Sequence, residues 1–556
     1  MKHQPSLEGA AEEIQKTLYG YVGIQSVSGS EGEREAQNFF LDFFRSLPYW
    51  KKHPEHLGSA PIPGDPWDRG PAFAMVRGAG EDTIVLLHHN DVVTASNYKL
   101  LKPLAFSPEE LEKELFRVRE SLSAEARADL ESGEYLYGRG VCDMKGGGAI
   151  QMVLLRRYSE LVLREPDSLP GTLIVLAVPD EENLSAGMRA AAPLLARLQK
   201  EYHLRFRLAI DSEPHAQVDG QGVFSLGSVG KALPFVYVRG ALAHSGTPFL
   251  GINPLNILSE IVRSTELNPD FSDVVQGEAA PPPVWTYQRD GKTQYDVSIP
   301  LSAAGCLNVL SLNQTPDALL ERLRAVCEES FQAVIRRMNG QYAQFCGRTG
   351  RPAQPLPWKV QVTSFASLCQ AARRDRGAAF DKAYEARLAQ LAQRGESLNL
   401  IDCTLALVDL VFEYLDDLSP RVVYGLVPPY YPNVSNLFRE DMPSEVRDLP
   451  ETLDAFTRQE FGQRYIAENF FTGVSDMSYT SLSGGREIAA TLEESMPLFG
   501  KLYNISLEDM ERISMPCINI GPYGKDLHQM TERVLKEDLY HRTPRILVRA
   551  IEAVLP

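Results

Sequence analysis

The sequence predicts an α/β protein, in which a catalytic domain with a mixed sheet is interrupted by an inserted α+β domain. Short apolar runs typical of strands, among them DTIVLLHHND and GTLIVLAVPDEE, alternate with helical patterns such as GGGAIQMVLLRRYSELVL. Strands that alternate with helices are typical of a sheet flanked by helices. From about residue 228 the pattern changes to strands followed by a long helix, and strand-like runs return after residue 418.

This change of pattern divides the chain into three segments. At 556 residues the chain exceeds what one hydrophobic core normally supports, so more than one domain is expected. We predict that residues 1–227 and 419–556 form the catalytic domain and that residues 228–418 form the insertion. Residues 363–418 read as mostly helical, and their pattern alone assigns them to neither domain.

Composition argues against several classes of protein. The formal net charge is −17 and no basic stripe stands out, so nucleic acid is not expected as a partner. No run of about 18 apolar residues is present, so no membrane span is expected, and no secretory signal is visible. The seven cysteines are scattered without a C-x-x-C pair, as is typical of reduced thiols. We therefore expect a cytoplasmic protein.

The adjacent glutamates Glu181 and Glu182 follow directly after a strand-like run. Neighbouring carboxylates at a strand end point in different directions, so one can bind a metal ion while the other transfers protons. Paired glutamates are usually no more than a solvated corner. Further candidate ligands favour the metal hypothesis, namely His89, Asp143, Glu213 and His528.

Several of these residues follow strand-like runs, where the ligand site of an α/β sheet is expected. Imidazole and carboxylate are the usual ligands of hydrolytic metal sites, and a two-metal site needs a bridging carboxylate. Asp143 is the candidate bridge. Glu181 would take a proton from the attacking water and deliver it to a leaving amine, while the metal ions polarise the scissile carbonyl.

Three neighbours of the candidate ligands have predicted supporting roles. Asp91, two residues after His89, could accept the second ring N–H of that histidine and fix its tautomer. His88 faces the other way along the strand, which favours a structural role. The run Gly146–Gly148 would let a helix start close to the sheet, and its spacing is not that of a phosphate-binding loop.

Read in order, the motifs resemble those of the M20 family of metallopeptidases and amidohydrolases. SVSGSEGE, HHND, GRGVCDMKGG and PDEE look like motifs of its catalytic domain, AHSGTPFLGINP like the signature of its inserted domain, and GPYGKDLHQMTE like its closing histidine motif. The segments YYPNVSN and GVSDMSY are similar to the RocB-type arginine-utilisation branch. The resemblance implies a phosphorylase/hydrolase-like catalytic domain with an inserted dimerisation or lid domain.

The resemblance also implies a ligand set. One metal would be held by His89 and Glu213, the other by Glu182 and His528, and Asp143 would bridge them. Two divalent ions are implied, with zinc favoured and manganese or cobalt as alternatives.

Further roles are implied for residues that do not bind metal. Glu181 would be the general base, and Asp91 would support the ring of the first histidine. His244 of the inserted domain would contact the substrate, either in its own chain or from a partner subunit. The implied substrate is a small peptide or an N-acylated amino acid, and the implied assembly is a homodimer through the inserted domain.

Two points stay open in the sequence. Asp211 is an alternative to Glu213 as the fourth-motif ligand, since some relatives use an aspartate there, although the Glu-Pro pairing favours Glu213. The alternative to an enzyme is a non-catalytic, metal-containing protein that binds an amino acid or has a regulatory role. A structural dimer scaffold is a third hypothesis. Absence of a candidate ligand or of the candidate base from the sequence would favour the non-catalytic hypothesis, but all of these residues are present.

Overall fold

The computed structural model describes residues 4–393, 399–482 and 484–555, and it divides into two compact units. The catalytic unit consists of Met1–Ser228, Val434–Ser483 and Ser506–Pro556. The inserted unit consists of Val229–Asn433 and Gly484–Ile505. The predicted fold class is confirmed, since a mixed sheet with flanking helices is interrupted by an α+β insertion.

The point at which the chain returns to the catalytic unit differs from the prediction. We expected the return at residue 419, but the strand Arg421–Tyr431 pairs with Gly230–Arg239 in the sheet of the inserted unit. Residues 363–418, whose assignment the sequence left open, also belong to this unit, as does the later helix Gly485–Ser495. An apolar run predicts a buried strand but not the sheet that it joins, which explains the error.

The catalytic unit is built on an eight-stranded sheet. Its strands are, in spatial order, Leu57–Ser59, Ala72–Arg77, Thr172–Val178, Asp82–His89, Arg205–Asp211, Cys517–Asn519, Gly222–Ser225 and Tyr465–Glu468. The four central strands, from the third to the sixth, run parallel, and antiparallel pairs join them to both sides. The sheet is therefore mixed.

The register of the central strands brings their carboxyl ends together. His89 lies opposite Val178 of one neighbouring strand, and Leu87 lies opposite Asp211 of the other. Because the three strands are parallel, the residues that follow them emerge at the same edge of the sheet. These residues include the predicted ligands Glu182 and Glu213.

Helices cover the sheet of the catalytic unit. They are Ala10–Val22, Gly32–Arg45, Pro48–Lys52, Pro108–Arg117, Ala124–Ser132, Lys145–Arg164, Ala186–Tyr202, Ser444–Arg447, Leu449–Phe461, Leu507–Ile513 and Thr543–Val554. Two small sheets complete the unit, formed by Gly227–Ser228 with Val434–Ser435, and by Tyr135–Tyr137, Arg533–Leu535 and Gly524–Lys525.

The helix Lys145–Arg164 starts against the sheet through its glycines, as the sequence predicts. A Cβ atom at Gly147 would lie 2.2 Å from the carbonyl oxygen of Ser212, and one at Gly148 would lie 2.5 Å from the ring of His88. Neither contact is sterically possible, so only glycine permits this approach. The helix therefore starts beside the strand ends that carry the candidate ligands.

The inserted unit has a five-stranded sheet with helices on both faces. The strands are, in spatial order, Val284–Asp290, Ser302–Ser311, Gly230–Arg239, Arg421–Tyr431 and Val362–Ser364, and a small hairpin pairs Val274–Val275 with Glu278–Ala279. The helices are Pro254–Thr265, Pro316–Arg348, Phe365–Arg376, Ala378–Ala392, Leu400–Glu413 and Gly485–Ser495. Successive residues of the central strand, such as Phe235 and Val236, enter separate apolar clusters on the two faces.

In the described ranges of both units, no helix is long and apolar enough to cross a membrane.

Candidate metal centre

Five of the predicted ligands converge at the carboxyl edge of the central strands. Potential ligand atoms of His89, Asp143 and Glu213 lie within 4.8 Å of one another, and so do those of Asp143, Glu182 and His528. The two groups share Asp143. The structure thus brings together the five residues named as ligands from the sequence, in two sets of three.

Asp143 presents one carboxylate oxygen to each of two histidines. Its Oδ1 lies 2.9 Å from Nε2 of His89, and its Oδ2 lies 3.0 Å from Nε2 of His528. The same nitrogen of His528 lies 2.9 Å from Oε1 of Glu182. A carboxylate placed between two imidazoles in this way has the geometry of a bridging ligand.

Glu213 rather than Asp211 faces the first histidine. Oε1 of Glu213 lies 3.5 Å from Nε2 of His89. The carboxylate of Asp211 instead accepts hydrogen bonds from the hydroxyl of Ser475 at 2.6 Å and from the backbone N–H of Ser212 at 2.9 Å. This arrangement favours Glu213 of the two alternatives that the sequence left open.

Asp91 supports His89 through its backbone more closely than through its carboxylate. Nδ1 of His89 lies 3.0 Å from the carbonyl oxygen of Asp91 and 3.6 Å from its Oδ1. The carboxylate accepts the hydroxyl of Ser28 at 2.6 Å and the backbone N–H groups of Glu181 at 3.1 Å and Glu182 at 3.2 Å. Asp91 therefore orients the histidine and also the turn that carries both glutamates.

Burial and mutual repulsion set the electrostatics of the cluster. Burial, together with the negative charge of the nearby Asp143, raises the pKa of Glu213 to about 8. Hydrogen bonds to Asp143 and Glu182 raise the pKa of His528 to about 10. Burial also raises the pKa of Glu181 well above its usual range. Buried carboxylates that repel one another are stabilised by positive charge, and the imidazole and carboxylate donors fit a divalent ion of the zinc type.

Comparison with known proteins decides the family. The model of Peptidase family M20/M25/M40 matches residues 118–553. The chain belongs to this family. Two relatives from Bacillus subtilis cover almost the whole chain: the uncharacterized protein YqjN is 31% identical over 98% of this chain and 96% of its own length, and protein RocB is 30% identical over 97% and 94%.

The fold of the M20 chain is also found among solved structures. The dipeptidase Dug1p of Saccharomyces cerevisiae superposes with a TM-score of 0.52 at 12% sequence identity, covering 100% of this chain and 99% of that one. The family model and the two Bacillus subtilis relatives confirm the predicted family. Membership of M20 makes the chain an enzyme of the metallopeptidase and amidohydrolase class.

Glu33 and Arg69 hold the turn before Glu181. The carboxylate of Glu33 accepts the backbone N–H of Asp180 at 2.8 Å and the N–H of Gly29 at 2.7 Å. Arg69 pairs with Glu33 and lies 3.2 Å from Oδ1 of Asp180. Asp180 has a φ of 70°, in the left-handed region that is strained for a non-glycine residue, so the turn needs this support.

Glu532 and Arg139 hold Asp143 and His528 in place. Glu532 is fully buried and accepts the backbone N–H of Gly140 at 2.7 Å and that of Asp143 at 3.4 Å. Arg139 pairs with Glu532 and donates to the carbonyl oxygen of His528 at 3.0 Å. His528 has a φ of 64°, so this contact holds it in the left-handed region.

His88 and His244, the two other histidines considered in the sequence analysis, lie in different surroundings. His88 is fully buried, with Nδ1 2.9 Å from Oε1 of Gln151 and Nε2 3.3 Å from the hydroxyl of Tyr21, which agrees with a structural role. His244 belongs to the inserted unit, where its side chain is exposed and Nδ1 accepts the N–H of Gly246 at 3.0 Å. Its predicted contact with substrate stays a prediction.

The sequence did not reveal Arg69, Asp180 or Asp476 as parts of the centre. Asp476 is fully buried, and its two carboxylate oxygens have no hydrogen-bond partner among the described residues. Its charge contributes to the raised pKa of Glu181, which places Asp476 near that residue. It lies in the GVSDMSY segment, so an acid in an otherwise apolar and small-residue stretch was the available signal.

Proposed function

We propose that the protein is a di-metal hydrolase that cleaves an amide or peptide bond of a small peptide or an N-acylated amino acid. One observation carries the proposal: the two oxygens of Asp143 face His89 and His528, each in a separate set of three ligand residues. Peptidases of this family act on peptides or acylated amino acids, which supports the substrate class.

The residues fit two divalent ions. His89 and Glu213 would hold one, Glu182 and His528 would hold the other, and Asp143 would bridge them. When bound, the ions would supply positive charge that polarises a carbonyl group and increases the acidity of water. The nitrogen and oxygen donors suit zinc, and also manganese or cobalt.

Glu181 has the position expected of the general base. Donor atoms of Glu181, His89 and the proposed ligand Glu182 lie within 4.8 Å of one another, so the carboxylate of Glu181 is close enough to the centre to exchange a proton with a water bound there. It would accept the proton of the attacking water and deliver it to the leaving amine. Its backbone N–H donates to Asp91, which fixes the base relative to the ring of His89.

Contact of His244 with the substrate, a homodimer formed through the inserted unit, and a cytoplasmic location belong to the same proposal. The exposed position of His244 is compatible with contact to a substrate. A dimer would appear in sedimentation as twice the chain mass of 61.9 kDa. All seven cysteines are buried free thiols, which supports a reducing compartment.

The test is a hydrolysis assay of the protein loaded with zinc or manganese against a panel of dipeptides and N-acyl amino acids, with released amine as the readout. We expect turnover in the wild type, a loss of about 10³-fold or more in Glu181→Gln with metal content unchanged, and no loss in Glu131→Gln, which alters an exposed glutamate. Full activity of Glu181→Gln would refute the mechanism. Ligand binding without turnover of any substrate would instead favour the non-catalytic alternative.

A further inference from the structure

A second cluster of metal-ligating side chains lies outside the proposed centre, in the segment HPEH. His53, Glu55 and His56 each place a donor atom within 4.8 Å of the other two. Nδ1 of His53 lies 3.5 Å from Oε1 of Glu55, and Nε2 of His56 lies 3.7 Å from the same oxygen. We propose that these three residues form an additional site for a zinc-like divalent ion.

Two of the three donor separations are close to those of a tetrahedral ion, and the third is within 4.8 Å. With bonds of about 2.0–2.1 Å, neighbouring ligand atoms of a tetrahedral zinc site are about 3.3 Å apart. The two measured separations, 3.5 and 3.7 Å, need only a few tenths of an ångström of closure. Two imidazoles and one carboxylate select zinc, nickel, cobalt or copper over magnesium and calcium, which prefer oxygen ligands.

The local structure holds His56 ready to bind. Its side chain is 7% exposed, and its Nδ1 lies 3.0 Å from the hydroxyl of Tyr49. That hydroxyl also accepts the backbone N–H of Arg77 at 2.9 Å, so it is fixed in place. If Nδ1–H donates to Tyr49, the lone pair of Nε2 is directed to Glu55, as in metal-bound histidines whose second nitrogen is hydrogen-bonded.

The other two donors are restrained as well. The ring of His53 stacks on that of His56 with centroids 5.2 Å apart and an angle of 13°. The backbone carbonyl of Glu55 accepts the hydroxyl of Tyr202 at 3.3 Å, while its side chain is 53% exposed. An ion would therefore find one buried and two accessible ligands, with a position open to water.

This cluster is separate from the proposed catalytic ligands. Arg77, which contacts Tyr49, pairs with Thr172 at the start of the strand Thr172–Val178, whereas Glu181 and Glu182 follow the end of that strand. A seven-residue strand spans about 20 Å, so the two sites lie at opposite ends of the strand Thr172–Val178. The ion would connect the helix Pro48–Lys52 to the edge strand Leu57–Ser59 and would have a structural role.

The proposal is tested by counting the zinc ions bound to each chain. The full-length protein is stripped with a chelator, loaded with zinc and freed of excess metal, and the zinc-to-chain ratio is measured by native mass spectrometry. We expect the wild type to carry one ion more than His53→Ala or Glu55→Gln. His541→Ala, which removes another exposed histidine, is the matched control and should keep the wild-type count.

The two main variants alter a partly exposed and an exposed side chain outside the apolar core, so they are expected to fold. Equal zinc counts in the wild type and both variants would overturn the proposal, and so would a loss of zinc in the control. The readout is a difference between variants and does not depend on hydrolysis, so a failure of the proposed function would leave it valid. A zinc-dependent rise in the unfolding temperature should also be smaller in His53→Ala than in the control.

Discussion

The carboxylate of Asp91 accepts the backbone N–H of Glu181 at 3.1 Å, so the support of the first histidine and the proposed base are joined by a hydrogen bond. A second bond from the N–H of Glu182 extends this link to a proposed ligand. Asp91 thus positions three groups whose chemistry differs: its carbonyl oxygen contacts His89, and its carboxylate holds Glu181 and Glu182. The consequence can be measured.

Replacing Asp91 by Asn should impair both metal binding and turnover. An amide keeps the shape of the side chain but weakens acceptance from two N–H groups and reduces the negative charge beside His89. We expect a 10- to 100-fold loss of metal affinity or of kcat/KM, measured by chelator competition and steady-state kinetics. Asp538→Asn, a buried acid elsewhere in the unit, is the control. Wild-type values for Asp91→Asn would show that the carboxylate has no such role.

Glu213→Gln and Asp211→Asn distinguish the two candidates for the fourth-motif ligand. Glu213 faces His89, whereas Asp211 is occupied by Ser475 and Ser212. We expect Glu213→Gln to lose about one zinc ion per chain and Asp211→Asn to keep the wild-type ratio, as counted by elemental analysis. The reverse result would identify Asp211 as the ligand.

Arg69→Met should lower turnover without removing any proposed ligand. The substitution leaves Glu33 and Asp180 without their shared cation, in a region where an unpaired buried charge is costly. We expect kcat to fall at least 10-fold with a smaller change in KM, and the free energy of unfolding to fall by about 3 kcal/mol. Arg69→Lys should recover part of kcat. A loss of stability with unchanged kcat would restrict Arg69 to a structural role.

The metal-free protein should lose stability in acid through His56. Burial lowers the pKa of this histidine to about 4 from an ordinary value of 6.5, Glu55 opposes the shift, and His53 and Arg77 add to it. Between pH 6.5 and 4, His56 therefore binds a proton in the unfolded chain but not in the folded chain. Its contribution to the free energy of unfolding is fully present above pH 6.5 and declines as the pH falls toward 4. The expected loss is on the order of 2 kcal/mol.

Urea unfolding at pH 7 and pH 5, with chelator present, measures this loss. His56→Gln should show a smaller difference between the two pH values than the wild type, while His541→Ala should match the wild type. An equal difference in His56→Gln would show that another group is responsible.

Residue type and position allowed much of the centre to be predicted. His89, Glu181, Glu182 and Glu213 follow strand-like runs, and parallel strands bring their carboxyl ends to one edge. Asp143 and His528 were candidates by residue type, and the resemblance to family motifs supplied the division of the ligands between two metal ions. The role of Arg69 was not predictable in the same way, because its partners Glu33 and Asp180 lie 36 and 111 residues away and no local pattern marks an ion pair. The strand Arg421–Tyr431 was likewise predicted as a strand but assigned to the wrong unit, because its neighbour in the sheet, Gly230–Arg239, is distant in sequence.

The proposed ligand set is spread over almost the whole chain. His89 is in the first fifth of the sequence, whereas His528 comes 439 residues later (528 − 89), after the entire inserted unit. A growing chain on the ribosome therefore contains the proposed base Glu181 long before it contains the last imidazole of the proposed ligand set. Cleaving activity should be absent until synthesis is nearly finished, and premature termination before residue 528 should release a product that cannot assemble the second set of ligands.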